Sequence, residues 1–355
     1  MDIEEKISLV QRPPTEEVVT VNELRTLFET KSSPKHYIGL EISGKLHLGS
    51  LILTGFKIND FIKAGIQTNV FLADWHTYIN NKLNNDWILI SEISRYYEKA
   101  FKFFCPGVNI IFGSTLYDEK DDYWKNFVLF SKQITLSRIF RSLTIMGRTE
   151  KDTLDFSQLL YPSMQSVDIK ALDLDIVHAG TDQRKIHMLV REVFPNLNWK
   201  TPVSVHHHLL PGLSEPATST TSISDTSNNE KKIDDSKILS KMSKSNPSGS
   251  ILIHDTEKEI IHKINKAYCP LGVSTENPIL EIVKHIIFHQ YDELIVERPP
   301  KYGGNISYYS YDELQKDYEQ NKIHPKDLKL TTSRYLNEIV SPVRSYLYNE
   351  IPDSL

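Results

Sequence analysis

Apolar and polar positions change period repeatedly along this chain, and those changes divide it into elements. In residues 1–35 apolar side chains at Val21, Leu24, Leu27 and Phe28 fall near helical spacing, which predicts a helical lead-in. From His36 onward, short apolar runs alternate with longer amphipathic ones. His36–Ser43, Thr68–Ala73, Val108–Gly113, Asp175–Ala179 and Val203–His207 read as strands. His47–Ala64, the region Asp86–Phe104 and the run opening at Thr181 read as helices. Strands separated by helices in this way predict an α/β fold, a Rossmann-like parallel sheet with helices on both faces. Ligands of such a sheet sit outside the carboxyl ends of its strands, so chemically interesting residues should come just after strands. They do.

Residues 214–238 break the pattern: Ser, Thr, Asp and Asn dominate and large apolar residues nearly vanish, which predicts a mobile polar loop. Beyond residue 255 the segments EKEIIHKINKAY, NPILEIVKHIIFH and LKLTTSRYLNEIVSPVRSYL carry helical periodicity. The expected division is a lead-in (1–35), a catalytic domain (36–213) with an insertion at about 115–160, the polar loop with a short lysine-bearing loop after it (214–250), and a mostly α-helical C-terminal domain (251–355). A chain of 355 residues is longer than one compact core usually holds, so two domains are expected.

Composition narrows the class. Apolar residues make up 39% and charged residues 25%, ordinary values for a globular enzyme. The net charge of −5 excludes a histone-like polycation but leaves room for local basic patches that bind RNA. The opening MDIEEKISLV is acidic where a targeting leader would be basic. No apolar run approaches the ~18 residues of a membrane span. Cys105 and Cys269 stand far apart, outside any C-x-x-C spacing, which argues against a disulfide framework or a cysteine-based zinc site, and no metal ligands are assigned. These features describe a reduced, cytoplasmic protein.

Two motifs carry phosphate chemistry. His47-Leu48-Gly49-Ser50 comes directly after the first strand and opens the first helix, where unpaired amides and the helix dipole favour an anion. Gly49 permits close approach of a nucleotide to the backbone, and His47 can donate to a phosphate oxygen. Lys241-Met242-Ser243-Lys244-Ser245 lies just after the polar loop. Its two lysines can aim charge at a polyphosphate, and a flexible tether would let them close over a bound nucleotide. A lone K-x-x-K would read as a solvated basic turn; the unbroken five-residue run and its order after the first motif favour function.

With both motifs, the chain resembles the class I aminoacyl-tRNA synthetases: KMSKS is complete, and HLGS is a variant of the HIGH box. Ser50 stands where a second histidine is usual and cannot bring its charge. The runs YIGLEISGKLHLGS, YPSMQSVDI and HAGTDQRKIHMLVRE, then INKAYCP, KYGGN and IHPKDLK, resemble the tyrosyl-tRNA synthetases of archaeal and eukaryotic type. The resemblance covers nearly the whole chain outside residues 214–238.

Tyr161, Gln165 and Asp168 are spaced four and three apart, on one helical face. The resemblance implies that Tyr37 and Asp168 hold the substrate phenol while Tyr161, Gln165 and Gln183 hold its ammonium and carboxylate end. A phenol offers one donor and one acceptor, which Asp168 and Tyr37 would complement. His76 resembles a pocket-lining position. The resemblance also implies contacts to ATP, the Mg²⁺-dependent co-substrate, from Gly39, Glu41, His47, Gly49, Ser50 and the run Lys241, Met242, Ser243, Lys244. His47, Lys241 and Lys244 would be catalytic.

Arg138, Arg141 and Arg148 suggest a basic stripe on a long helix before the tyrosine helix. By resemblance this insertion grips a tRNA acceptor stem, with Arg141 and Arg184 at the first base pair, and forms a homodimer interface. Tyr302 and His324 could stack on an unpaired base whose edge Asp327 accepts, and by resemblance the three recognise the first anticodon base of tRNA(Tyr). Three other readings stay open. A tryptophanyl-tRNA synthetase shares the fold, but an indole only donates and suits the Tyr37/Asp168 pair less well. A small-molecule adenylyltransferase would not need the helical domain. A catalytically dead RNA-binding paralogue is motivated only by Ser50.

Overall fold

The computed structural model describes residues 1–149, 152–216, 242 and 249–350. These cluster into two units, one built from Met1–Gly44 and Lys57–His208, the other from Lys45–Phe56 and the described parts of Leu209–Asn349.

The first unit is a six-stranded sheet: β1 (Thr15–Val19), β2 (Lys35–Leu40), β3 (Gln67–Leu72), β4 (Asn109–Phe112), β5 (Ile176–Gly180) and β6 (Val203–His207), in the order β1-β6-β5-β2-β3-β4. β2 through β6 pair in parallel, whereas β1 runs antiparallel to β6 with Val18 opposite Val205. Alternate strand residues feed two cores, as the two-residue period of a strand requires. Val177 packs with Tyr37, Phe71, Tyr161 and Val167 on one face. Its neighbour Ile176 packs with Leu24, Phe28, Phe61 and Val205 on the other. The α/β class and the parallel core match the expectation.

The lead-in does not. Residues 1–35 hold helices Ile3–Gln11 and Val21–Thr30 with the edge strand β1 between them. Both helices open on reciprocal capping boxes, Asp2 with Glu5 and Thr20 with Glu23, and each box fixes the residue at which its helix begins. The adjacent Glu16 and Glu17 obscure strand alternation, and an edge strand can carry such charges.

In the chain order β2-β3-β4 and then β5-β6, the direction of winding reverses between β2 and β5, which lie side by side. A topological switch point of this kind opens a crevice at the carboxyl ends of the two strands.

The second unit is mostly helical: Glu257–Lys266, Pro278–Ile282, Tyr311–Glu319 and Pro325–Tyr346, with a hairpin of β7 (Leu294–Val296) and β8 (Ile306–Tyr308). It also holds the HLGS segment. The Leu48 amide donates to the Ile251 carbonyl at 3.0 Å, the Ile253 amide donates to the Leu46 carbonyl at 3.0 Å, and His47 bridges Leu252. HLGS is thereby hydrogen-bonded to the segment just C-terminal to KMSKS. No helix among the described residues is long and apolar enough to cross a membrane.

Candidate active site

The first unit places Tyr37, Gly39 and Glu41 along and just beyond β2, and Gln183 three residues beyond β5, at the switch point. Tyr37 is buried. Burial, and then the charge of Asp168, push its hydroxyl well above the ordinary tyrosine range, so it remains a donor. Gly39 shares a strand face with Tyr37; a Cβ there would lie 3.5 Å from the Tyr37 ring and 3.8 Å from its hydroxyl, so glycine keeps that face clear.

The helix Tyr161–Ala171 carries the triple found in the sequence. It is buried on nearly every side, so Tyr161, Gln165 and Asp168 do not form an exposed polar stripe. Asp168 is 1% exposed. Burial pushes its carboxyl up to about 8, against the opposing pull of the Tyr123 and Tyr117 hydroxyls. Tyr123, itself fully buried, donates to Asp168 Oδ1 at 2.7 Å. His76 Nε2 lies 3.6 Å from Asp168 Oδ2, and burial drives that imidazole down to about 3, so the contact is not an ion pair at neutral pH. The Tyr117 hydroxyl stands 3.4 Å from His76 Nδ1, and the His76 ring meets Tyr161 edge-on with centroids 4.5 Å apart.

Gln165 and Gln183 come together as expected: Gln165 Nε2 donates to Gln183 Oε1 at 3.2 Å, and Gln183 Nε2 donates to the Ile145 carbonyl at 2.7 Å. Gln165 Oε1 is buried with no hydrogen-bond partner among the described residues. An acceptor stranded in this way carries a desolvation penalty that a donor from a ligand would relieve. Glu41 is held by Asn80, whose Nδ2 donates to Glu41 Oε1 at 2.6 Å and to the Met146 carbonyl at 3.1 Å. Sequence reasoning misses Tyr123, Tyr117 and Asn80. Their partners lie 39 to 68 residues away along the chain, so no local spacing points to them.

In the second unit, HLGS differs from the expected helix opening. His47 caps a six-residue π-helical stretch, Leu48–Leu53, rather than an α-helix. His47 Nδ1 accepts from the Gly49 amide at 3.1 Å, while the His47 amide donates to Ser50 Oγ at 2.9 Å. The Leu48 and Gly49 amides, expected to be open for phosphate, are thus already engaged, the first by Ile251. A neutral His47 that accepts at Nδ1 carries its proton on Nε2. A Cβ at Gly49 would come within 3.1 Å of the His47 ring, so this glycine makes room for the imidazole. Met242 is buried, and its amide donates to the Leu210 carbonyl at 2.7 Å. Lys241, Ser243, Lys244 and almost all of the polar loop lie outside the described residues.

The expected basic stripe is not one stripe. Arg138 and Arg141 share the short helix Leu136–Ser142, but Gly147 turns left-handed at φ 72° and Arg148 comes after it. Arg148 donates to Asn80 Oδ1 at 3.3 Å. Arg138 makes a two-pronged pair with Glu192. Arg141 is exposed, and Arg184 pairs with Glu17 at 2.8 and 2.9 Å. Tyr302 is exposed in the β7–β8 hairpin loop. His324 caps the helix Pro325–Tyr346 by accepting from the Lys326 amide, and Asp327 sits in that helix's first turn.

The family model for class I tRNA synthetases of tryptophan and tyrosine matches residues 29–341. The tyrosine–tRNA ligase of Thermococcus sibiricus is 42% identical over 373 residues, spanning all of this chain and 97% of that protein. The chain belongs to the tyrosyl-tRNA synthetase family. Another member, from Pyrococcus abyssi, is 43% identical across 98% of this chain and 95% of its own length. The crystal structure of the Pyrococcus horikoshii tyrosyl-tRNA synthetase complexed with L-tyrosine matches with a TM-score of 0.91 and 42% identity, covering all of this chain and 98% of that one. A Plasmodium falciparum tryptophanyl-tRNA synthetase, 18% identical with a TM-score of 0.66, shares the fold alone.

Proposed function

We propose that the chain is a tyrosine–tRNA ligase that selects its amino acid through the buried carboxylate of Asp168. The phenol hydroxyl of tyrosine donates to Asp168 and accepts from Tyr37. Gln165 Oε1, already stripped of water and without a partner among the described residues, accepts from the substrate ammonium, with Tyr161 and Gln183 beside it. Phenylalanine would forgo both the bond to Asp168, which Tyr123 then satisfies alone, and the bond from the buried Tyr37 hydroxyl. The observation that carries this reading is the placement of Asp168, 1% exposed on a helix whose face also bears Tyr161 and Gln165.

Adenylate formation needs no general base, because the tyrosine carboxylate is already the nucleophile. Its oxygen bonds to the α-phosphorus of ATP while the bond to the bridging oxygen breaks, and pyrophosphate leaves. A terminal ribose hydroxyl of tRNA then attacks the carbonyl carbon, AMP departs, and the hydroxyl proton is released. Catalysis is positioning and charge stabilisation. His47 Nε2–H donates to the phosphates; Lys241 and Lys244, flanking the anchored Met242, bring positive charge; Gly39, Glu41, Gly49, Ser50 and Ser243 complete the ATP contacts. Mg²⁺, where the nucleotide brings it, would add positive charge at the polyphosphate, and no residue of the chain is assigned to hold it.

Arg141 and Arg184 contact the acceptor stem, Arg184 exchanging Glu17 for RNA, and Tyr302, His324 and Asp327 recognise the first anticodon base. The insertion forms a homodimer interface, supported by exposed Trp124, Val128, Leu129 and Leu136 in its helices. The enzyme works in the cytoplasm. Exchange of labelled pyrophosphate into ATP tests the reaction: exchange is expected with tyrosine and not with tryptophan or without an amino acid. Exchange driven by tryptophan would refute the substrate assignment.

A further inference from the structure

Tyr302 and His324 belong to separate segments of the second unit, and one side chain ties those segments together. Arg298 leaves β7 just before the hairpin loop that carries Tyr302. Its backbone amide donates to Asn305 Oδ1 at 3.2 Å, across the mouth of that loop. Its guanidinium then spans two directions: Nε donates to the Gly304 carbonyl at 2.9 Å, and Nη1 donates to the Lys322 carbonyl at 2.9 Å. Gly304 lies two residues after Tyr302, and Lys322 lies two residues before His324, the cap of the long helix that also bears Asp327.

The loop sequence fits this clamp. Gly303 and Gly304 have φ of 97° and 72°, left-handed values that favour glycine. A Cβ at Gly303 would stand 3.2 Å from Arg298 Nη2, so the glycine lets the chain close onto the guanidinium. The planar, forked guanidinium reaches two carbonyls in fixed relative directions, which the point charge of a lysine cannot do.

We infer that Arg298 is a positioning residue for tRNA specificity: it sets the spacing between the Tyr302 loop and the His324–Asp327 helix start, without touching the base they recognise. This assignment rests on the anticodon reading of Tyr302, His324 and Asp327 given above. A base held between two aromatic rings is sensitive to their separation, and edge bonding by Asp327 requires the base to be held in register.

The test uses the full-length enzyme and matched tRNA(Tyr) transcripts whose first anticodon base is guanine or cytosine, at one salt concentration. In the wild type, one edge contact should favour guanine by about 5- to 150-fold in aminoacylation kcat/KM. Arg298→Ala should lose most of that preference, as should Asp327→Ala. The double variant should be no less selective than either single variant, because residues acting as a unit are not additive. Arg298→Lys, which keeps the charge but not the fork, should fall between. Tyrosine-dependent pyrophosphate exchange should stay at the wild-type rate in Arg298→Ala and Arg298→Lys. If Asp327→Ala loses the preference while Arg298→Ala keeps it, the positioning role is overturned and the anticodon reading stands. If Asp327→Ala keeps the full preference, the anticodon reading itself fails. Loss of pyrophosphate exchange in Arg298→Ala and Arg298→Lys would make the arginine a prop of the fold, which also overturns the inference.

Discussion

The hydroxyl of Tyr123 donates to Oδ1 of Asp168 at 2.7 Å in a site from which water is excluded. The two residues are 45 apart in the chain, on different helices, and the bond fixes one oxygen of the carboxylate proposed to accept the tyrosine phenol. It also favours the ionised form of a group that burial pushes up to about 8.

This raised carboxyl gives tyrosine use a pH dependence. In the free enzyme, kcat/KM for tyrosine in pyrophosphate exchange should rise as Asp168 ionises, with its midpoint near the folded value of about 8. Tyr123→Phe removes a donor to the anion, so the rising limb should move to higher pH. At pH 7 tyrosine kcat/KM should fall about 10- to 150-fold, the range for a hydrogen bond to a charged group, with the loss mainly in KM. An unshifted limb in this variant would separate Tyr123 from substrate binding.

Stability should run the other way. A buried acid whose folded value lies above its unfolded one binds more protons in the native state, so its contribution is present at low pH and lost as pH rises through about 8. Asp168→Asn keeps the shape and cannot ionise. Thermal melts at pH 9 should therefore show the variant more stable than the wild type by at least about 1 kcal/mol, on the order of 2–4 °C. The advantage should shrink toward pH 5. A variant less stable than the wild type at pH 9 would mean that the ionised carboxylate is well paired.

Ser50 is the departure from the usual second histidine of this motif, and the structure gives it a specific task. Its Oγ accepts from the His47 amide and donates to the His47 carbonyl at 3.2 Å. Ser50→Ala should cost about 0.5–2 kcal/mol of stability, the range for losing a helix cap. It should also slow adenylate formation, because His47 loses a restraint, while tyrosine KM stays unchanged. A rate equal to the wild type in single-turnover adenylate formation would leave Ser50 with capping alone.

The sequence pattern is informative wherever a signal is local. It marks Val203–His207 to the residue and the other four parallel strands to within a few residues at each end, because buried strands are short apolar runs bounded by polar ones. β1 escapes it because Glu16 and Glu17 sit side by side in an edge strand. The spacing of Tyr161, Gln165 and Asp168 places them correctly on one helical face. The same spacing logic fails for Arg148, because Gly147 ends the turn before it. The HLGS amides read as open in the sequence, but capping by His47 and pairing with Ile251 depend on side-chain direction and on a segment about two hundred residues away. Tyr123 and Asn80 are invisible for the same reason: their roles exist only once distant helices pack.

Selection of tyrosine by its hydroxyl is read by a ratio of rates. The measurement is kcat/KM for tyrosine divided by that for phenylalanine in ATP–pyrophosphate exchange, for the wild type, Asp168→Ala and Tyr37→Phe. Each variant removes one of the two buried groups that pair with the phenol. The ratio should fall by at least about 10-fold in each, since a buried polar group left unpaired costs about 1–3 kcal/mol. The fall should come from the tyrosine term, with phenylalanine exchange unchanged or faster. A wild-type ratio in both variants would contradict the pocket assignment and leave tyrosine selection to some other part of the molecule.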